Sequence, residues 1–425
     1  MKQFTLAVIT ASLFSLGACS SLDVSRGNMN SKDSFSFKGD HRLQPYFSKL
    51  YAGGEHDAVL NFADLGLAAM EVGEFDVAEK AFDQGITRID AIYANNENAK
   101  KARSLWTKES AKDFKGEPYE RAMVYYYRGL LYLRKGDYQN ARASFLAAEY
   151  QDTVAEQDTY LGDFAVMNLL AGWSSHCDHD ESRAKELYQM AISKDPSLAS
   201  FNLASHHLAL IDGGRGPQKL AVGKHREMLQ LHALPEGKVD SVYVARASSR
   251  HPTITLGDVN FQATTRGGRP MDGILAGKAK FKDNADVAGD VAMTAGMMSV
   301  SSGLLNDSSS QLQAGALFGL IGTIAKIASA STQPRADTRA WQPLPATLHA
   351  VALREPILNP TDVAIEFKDS QGGARKAALS WSSEQQSCSV AWGRTDSALL
   401  QPSASAPSKD SKRDVAFRQL LQATF

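Results

Sequence analysis

Apolar residues follow four different patterns along the chain. Residues 4–16 are a largely apolar run without a charge. From about 46 to 197 apolar residues recur at helical spacing, and charged residues fill the other face. From 198 to 400 the pattern changes to short alternating or β-branched runs: 206–212, 218–225, 239–247, 253–263, 347–355, 361–369, 374–383 and 387–394. Turn signals such as Asn359-Pro360 and Gly372-Gly373 separate them, and the glycine-rich 213–217 stretch predicts a turn between the first two strands. Between about 273 and 333 two Gly/Ala/Ser-rich apolar segments flank the polar loop NDSSS. The pattern predicts an α+β protein. N-terminal helical repeats lead into a small, sandwich-like β-sheet domain, and that domain carries an inserted Gly/Ala-rich α-hairpin.

The helical part contains three segments that align. Gly66, Gly129 and Gly172 each stand 12 residues before an alanine, Ala78, Ala141 and Ala184. An aromatic follows each alanine four residues later, as Phe82, Phe145 and Tyr188. Gly73 and Gly136 mark the turns between helices, while the third segment has His179 there. Small residues facing each other let antiparallel helices approach closely. The segments resemble tetratricopeptide repeats, a likeness that implies a surface for binding peptides or proteins.

The first apolar run has Lys2 before it and Gly17 and Ala18 after it, which predicts a secretory signal peptide over residues 1–18. It is too short to span a bilayer, which takes about 20 residues. Leu16-Gly17-Ala18-Cys19 resembles the lipobox of bacterial lipoproteins. That likeness implies acylation of Cys19 and, with Ser20 and Ser21 following, a lipid anchor on the periplasmic face of the outer membrane. Residues 19–45 are polar and read as the lipidated cysteine with a flexible tether. The other boundaries expected are 46–197 for the helical repeats, 198–400 for the β-rich domain and 401–425 for a linker and C-terminal tail.

Composition narrows the function. Charged residues make up 22% and the formal net charge is −1, so no basic surface for nucleic acid is expected. With Cys19 acylated, Cys177 and Cys388 remain, either as a disulfide or as two buried thiols. The run His176-Cys177-Asp178-His179-Asp180-Glu181 has metal-ligand chemistry, but it falls on a predicted turn, where a polar loop is expected and a metal is not. Arg266, Gly267, Gly268 and Arg269 form a candidate anion-binding loop, with a glycine turn as the plainer reading. The 273–333 hairpin suits core packing first, then oligomerisation or partner contact, and membrane insertion last.

Residues 114–121, FKGEPYER, lead into the second repeat, with Phe114, Lys115, Tyr119 and Arg121 as a candidate partner-binding set. The competing reading makes the two aromatics a staple onto the helices. In Asp337-Thr338-Arg339-Ala340-Trp341, alternation places Asp337, Arg339 and Trp341 on one side, so Arg339 can pair with the acid and stack on the indole. These two stretches, with the lipobox and the repeats, resemble a family of bacterial envelope lipoproteins with tetratricopeptide-like repeats. That resemblance implies a place and an architecture, and names no reaction.

No G-x-S-x-G, H-E-x-x-H or P-loop occurs, so neither an enzyme nor a cofactor is expected. The expected function is a lipid-anchored adaptor that recruits an envelope protein through its repeats. The alternative is a polysaccharide- or peptidoglycan-binding protein or hydrolase that uses the second domain.

Overall fold

Helices come first, as the pattern predicts. The computed structural model describes residues 35–94, 113–153, 163–264, 336–383, 387–399 and 411–425. The leader with Cys19, the Arg266–Arg269 loop and the 273–333 hairpin lie outside the described residues. Helix α1 spans Gln44–Gly53 and is followed by three antiparallel pairs. These are α2 (Ala58–Val72) with α3 (Phe75–Ala94), α4 (Pro118–Lys135) with α5 (Tyr138–Thr153), and α6 (Ala165–Cys177) with α7 (Glu181–Lys194).

The three aligned glycines share one job. A Cβ on Gly66 would lie 2.8 Å from the Phe82 ring, one on Gly129 2.7 Å from Phe145, and one on Gly172 2.6 Å from Tyr188. The aromatic therefore packs directly against its own pair's glycine, and the glycine meets this ring rather than the aligned alanine alone. The turn positions are also equivalent. Gly73, Gly136 and His179 have φ of 86°, 72° and 63°, so the histidine takes the left-handed geometry that glycine takes in the other two pairs.

The chain packs earlier than its polar composition suggests. Phe35 and Phe37 stack on Phe47 with centroids 4.9 and 4.5 Å away, and the Gln44 side chain accepts the Phe37 N–H and donates to the Phe35 carbonyl. Phe35 and Phe37, which the expected tether includes, therefore belong to the packed body. At the other end, α9 (Lys412–Thr424) docks on the first helix pair.

The strands are β1 (His207–Gly213), β2 (Gln218–Val222), β3 (Met228–His232), β4 (Val239–Arg246), β5 (Ser249–Pro252), β6 (Ile254–Asp258), β7 (Thr347–Leu353), β8 (Val363–Asp369), β9 (Ala374–Ser382) and β10 (Ser389–Arg394). Eight of them form one sheet in the order β5-β4-β8-β9-β10-β1-β7-β6, where two facing sheets were expected. Only Thr253 separates the edge strands β5 and β6, and its N–H and hydroxyl both donate to the Val242 carbonyl. The chain thus steps from one edge to the other, and the sheet curls almost into a barrel.

Two local expectations change. The 213–217 turn does not make a hairpin of β1 and β2, because β1 pairs with β10 and β7 while β2 pairs with β3 in a separate ribbon. The strand expected over 253–263 stops at Asp258, whose carboxylate accepts the Phe261 N–H and starts the short helix α8 (Val259–Thr264).

Alternation along the central strands builds two cores. Leu208, Leu210, Val390, Trp392, Leu348 and Ala350 face the helices. Ala209, Ile211, Ala391 and Val351 face inward, against Val244, Ile365 and Phe367 of the strands that curl over them. The Cys177–Cys388 disulfide, with Cα atoms 5.7 Å apart, ties the end of α6 to the start of β10.

His349 lies buried on β7, with Nε2 2.8 Å from the Thr347 hydroxyl and close against Gly213. Burial pushes its imidazole down to about 4 from the ordinary 6.5. The unfolded chain takes up the proton first as pH falls. This group's contribution is therefore complete above pH 6.5 and lost on acidification towards 4, by about 3 kcal/mol at most. Chemical denaturation across that window should show a steeper fall for the native chain than for His349→Gln.

Gly129→Ala should lower stability by about 1–3 kcal/mol, although alanine is the better helix former. Phe145→Leu added to it should recover part of the loss in melting temperature. An unchanged melting temperature for Gly129→Ala would refute the ring-on-glycine contact.

Candidate functional site

Helix α4 begins with a reciprocal cap. Glu117 is the N-cap, Pro118 occupies the first turn where an N–H is not needed, and the Glu120 carboxylate accepts the Glu117 N–H at 2.6 Å. Glu120 is almost fully buried, so its remaining lone pairs need donors. Lys219 of β2 supplies one, with Nζ 2.6 Å away, and the Trp341 N–H supplies another at 2.8 Å. Lys219 also donates to the Arg339 carbonyl at 3.0 Å.

Arg339 continues the cluster. Its guanidinium pairs with Asp337 and Asp57, each at 2.6 Å. Burial pushes the Asp57 carboxyl up, but His56 and Arg339 outweigh it and hold the group below the usual range. The Phe114 ring sits between the Lys219 ammonium, 5.3 Å from its centroid, and the Arg339 guanidinium at 5.4 Å. The two sequence stretches singled out separately, 114–121 and 337–341, are thus one structural unit.

Several sequence expectations meet this geometry. Phe114 and Tyr119 are buried, at 5% and 1% exposure, so these rings are not the exposed hot spot that the partner-binding reading called for. Arg121 donates to the Gly116 carbonyl and to Gln151, and Lys115 lies at the surface. Arg339 pairs with Asp337 as expected but stacks on Phe114. Trp341 packs edge-on against Tyr127 instead, with centroids 5.7 Å apart. The difference follows from Glu120, which holds the Trp341 backbone against α4.

Tyr127 carries the seam to a second buried network. Its hydroxyl donates to Asp212 Oδ2 at 2.7 Å, and Arg394 donates to the same oxygen at 2.9 Å. Arg394 also donates to the Pro343 and Asp396 carbonyls. Burial raises the Asp212 carboxyl, against the pull of Arg394, Tyr127 and Trp392. Asp212 and Arg394 are register partners of the parallel β1–β10 pair, so strand pairing alone places them together.

The histidine- and acid-rich run divides its members among ordinary roles. His176 Nδ1 lies 2.7 Å from Glu181, Asp180 caps α7 by accepting the Arg183 N–H, and Cys177 is in the disulfide. Among the described residues no group of three or more potential ligands is placed to hold a metal. The charged groups that meet at the seam pair with one another, while Asp212 Oδ1 and the indole N–H groups of Trp341 and Trp392 are buried without a hydrogen-bond partner among the described residues. Their arrangement suits clamping three chain segments together.

Sequence reading missed Lys219, Asp57, Asp212, Arg394 and Tyr127. One signal was available: Glu117-Pro118-x-Glu120 has the spacing of a capping box. Lys219→Met should cost about 3–5 kcal/mol, because it strands a buried carboxylate. Adding Glu120→Gln should return part of that loss in equilibrium denaturation, a coupling that independent surface groups would lack.

No helix among the described residues is long and apolar enough to cross a membrane. No protein-family model, curated protein or solved structure matches the chain.

Proposed function

We propose that this protein is a non-enzymatic scaffold of the bacterial envelope. It is anchored through acylated Cys19 to the periplasmic face of the outer membrane and recruits another envelope protein. The observation that carries the reading is the closed seam. Glu120 with Lys219 and Asp212 with Arg394 are buried charge pairs, and half-buried Arg339 pairs with Asp57 and Asp337, as suits a rigid body and not a reacting centre. The Cys177–Cys388 disulfide supports an oxidising compartment outside the cytosol, in keeping with the leader. The helix pairs keep the glycine–aromatic logic of tetratricopeptide repeats, and we assign them to that class.

One part of the adaptor picture needs revision. The helices α2, α4 and α6 are buried along most of their length, and the face they turn inward packs on the sheet. Recruitment through an open inner groove is therefore set aside, and the outer helices and the C-terminal region take its place. The peptidoglycan-binding or hydrolytic alternative calls for carboxylates and aromatics in an open cleft. Those brought together here, Glu120, Asp212, Trp341 and Trp392, are buried.

Cys19→Ala should abolish acyl labelling and move the protein out of the membrane fraction. In-cell crosslinking of the native chain should then capture an envelope protein that Cys19→Ala captures poorly. Acyl labelling that survives the substitution would overturn the anchor. A native chain that crosslinks to glycan strands in place of protein would favour the alternative.

A further inference from the structure

Helix α9 is joined to the sheet domain by residues 400–410, LQPSASAPSKD. It presents one narrow face to the body. Phe417 and Leu421 are buried, Phe425 follows at the same spacing, and Val415 and Leu420 point to solvent. Phe417 meets Phe62 edge-on at 5.8 Å, and Phe425 meets Phe47 at 5.2 Å. The Arg88 guanidinium lies 5.0 Å from the Phe62 centroid and 5.3 Å from that of Phe417, and Glu55 holds it in place. Polar contacts fix the start of the helix: Asp414 accepts the Glu55 N–H at 3.2 Å, and Arg413 pairs with Asp113 at 2.7 Å.

We propose that this seat is a helix-binding groove which α9 occupies in cis. In trans it would take a partner's amphipathic helix of the same pattern. That pattern is an aromatic or large aliphatic residue at i, i+4 and i+8, a carboxylate at i−3 and a basic residue just before it. The proposal deepens the recruiting role given above by naming a surface and a partner chemistry. It rests on that reading only for the partner's place in the envelope.

Three features carry it. A 13-residue helix does not hold its own shape in water, so α9 depends on the seat, where Phe417 and Leu421 join the core of the helices. The seat is complementary in charge as well as shape, with Asp113 facing Arg413 and a backbone donor facing Asp414. It is also continuous with the Phe47 cluster that anchors Phe35 and Phe37. Exchange of the tail would thus remove Phe425 from the point where the N-terminal segment joins the body. A tethered occupant competes at high local concentration, so a trans helix gains entry when the tail is weakened or the partner binds more tightly.

The test uses a fluorescent peptide of residues 411–425 and the full chain in detergent. Phe417→Ala with Leu421→Ala in the chain weakens the cis occupant, and the peptide should bind that chain about tenfold more tightly than the native one. Should the double variant melt early, Arg413→Asp in the chain breaks only the surface pair and should raise peptide affinity about two- to fivefold. In either background Asp113→Arg should weaken the native peptide, and a peptide carrying Arg413→Asp should recover the loss. Equal binding to native and tail-weakened chains would overturn the proposal. So would a peptide with Phe417→Ala and Leu421→Ala that binds as well as the native sequence. Neither result would touch the anchor or the scaffold reading, which the membrane and crosslinking measurements test separately.

Discussion

A carboxylate buried without partners is among the least tolerable groups in a protein interior, and Glu120 is buried. Its donors come from three separate parts of the chain: the start of its own helix, Lys219 on the β2–β3 ribbon, and the backbone at Trp341. None of those segments can settle independently of the others. The two-stranded ribbon is too small to be stable alone, and Lys219 is its inward-facing tie to the helices. The 336–346 segment has no regular structure, and it is held by Glu120, Asp57 and the Arg394 guanidinium. Helix α4 therefore organises the molecule. It caps itself with the residue that also recruits the ribbon, and two turns later Tyr127 reaches the Asp212–Arg394 pair at the sheet.

This dependence changes what the helix pairs can do. Helical repeats with a free inner face offer a groove, but here strand residues such as Leu210, Trp392 and Leu348 fill that face. The sheet has apolar residues on both sides, so it needs the helices on one side and its own curl on the other. That explains why eight strands curl into one near-barrel and do not split into two layers. The disulfide from α6 to β10 crosses the same seam, and Tyr138 holds the Cys388 backbone from both its N–H and its carbonyl. Among the described residues, helices and sheet share one core across this seam.

Much of the architecture was legible because it depends on local spacing. The glycine-to-aromatic interval placed all three helix pairs, including the third, where His179 departs from the pattern yet adopts the same left-handed turn. Seven of the eight runs read as strands correspond to strands of the large sheet, β1, β4 and β6 to β10, and the eighth is β2 of the ribbon. Pairing was less legible. The turn after β1 suggested a hairpin, whereas β1 finds its partners at β7 and β10, more than a hundred residues away. Residues 114–121 and 337–341 were recognisable as dense in chemistry, but their union was not, because it runs through Lys219, a single lysine in an alternating strand. The aromatics of the first stretch were ambiguous for the same reason. Composition does not say whether a ring beside two cations faces a partner or its own protein, and here the cations come from elsewhere in the chain.

The two ends of the described body meet at one place. Phe35 and Phe37 stack on Phe47 from the N-terminal side, and Phe425 meets the same ring from the C-terminal side. An aromatic cluster of this kind is stabilised by each member's burial, so loss of one ring exposes part of the others. The α9 seat adjoins the clamped seam, since Asp414 accepts the Glu55 N–H and Arg413 pairs with Asp113, two and one residues from Asp57 and Phe114 of the Arg339 cluster. On the proposed anchoring through Cys19, this place also holds the end of the described body nearest the acyl group along the chain, so the proposed exchange of α9 would place a recruited helix where the polypeptide leaves its anchor.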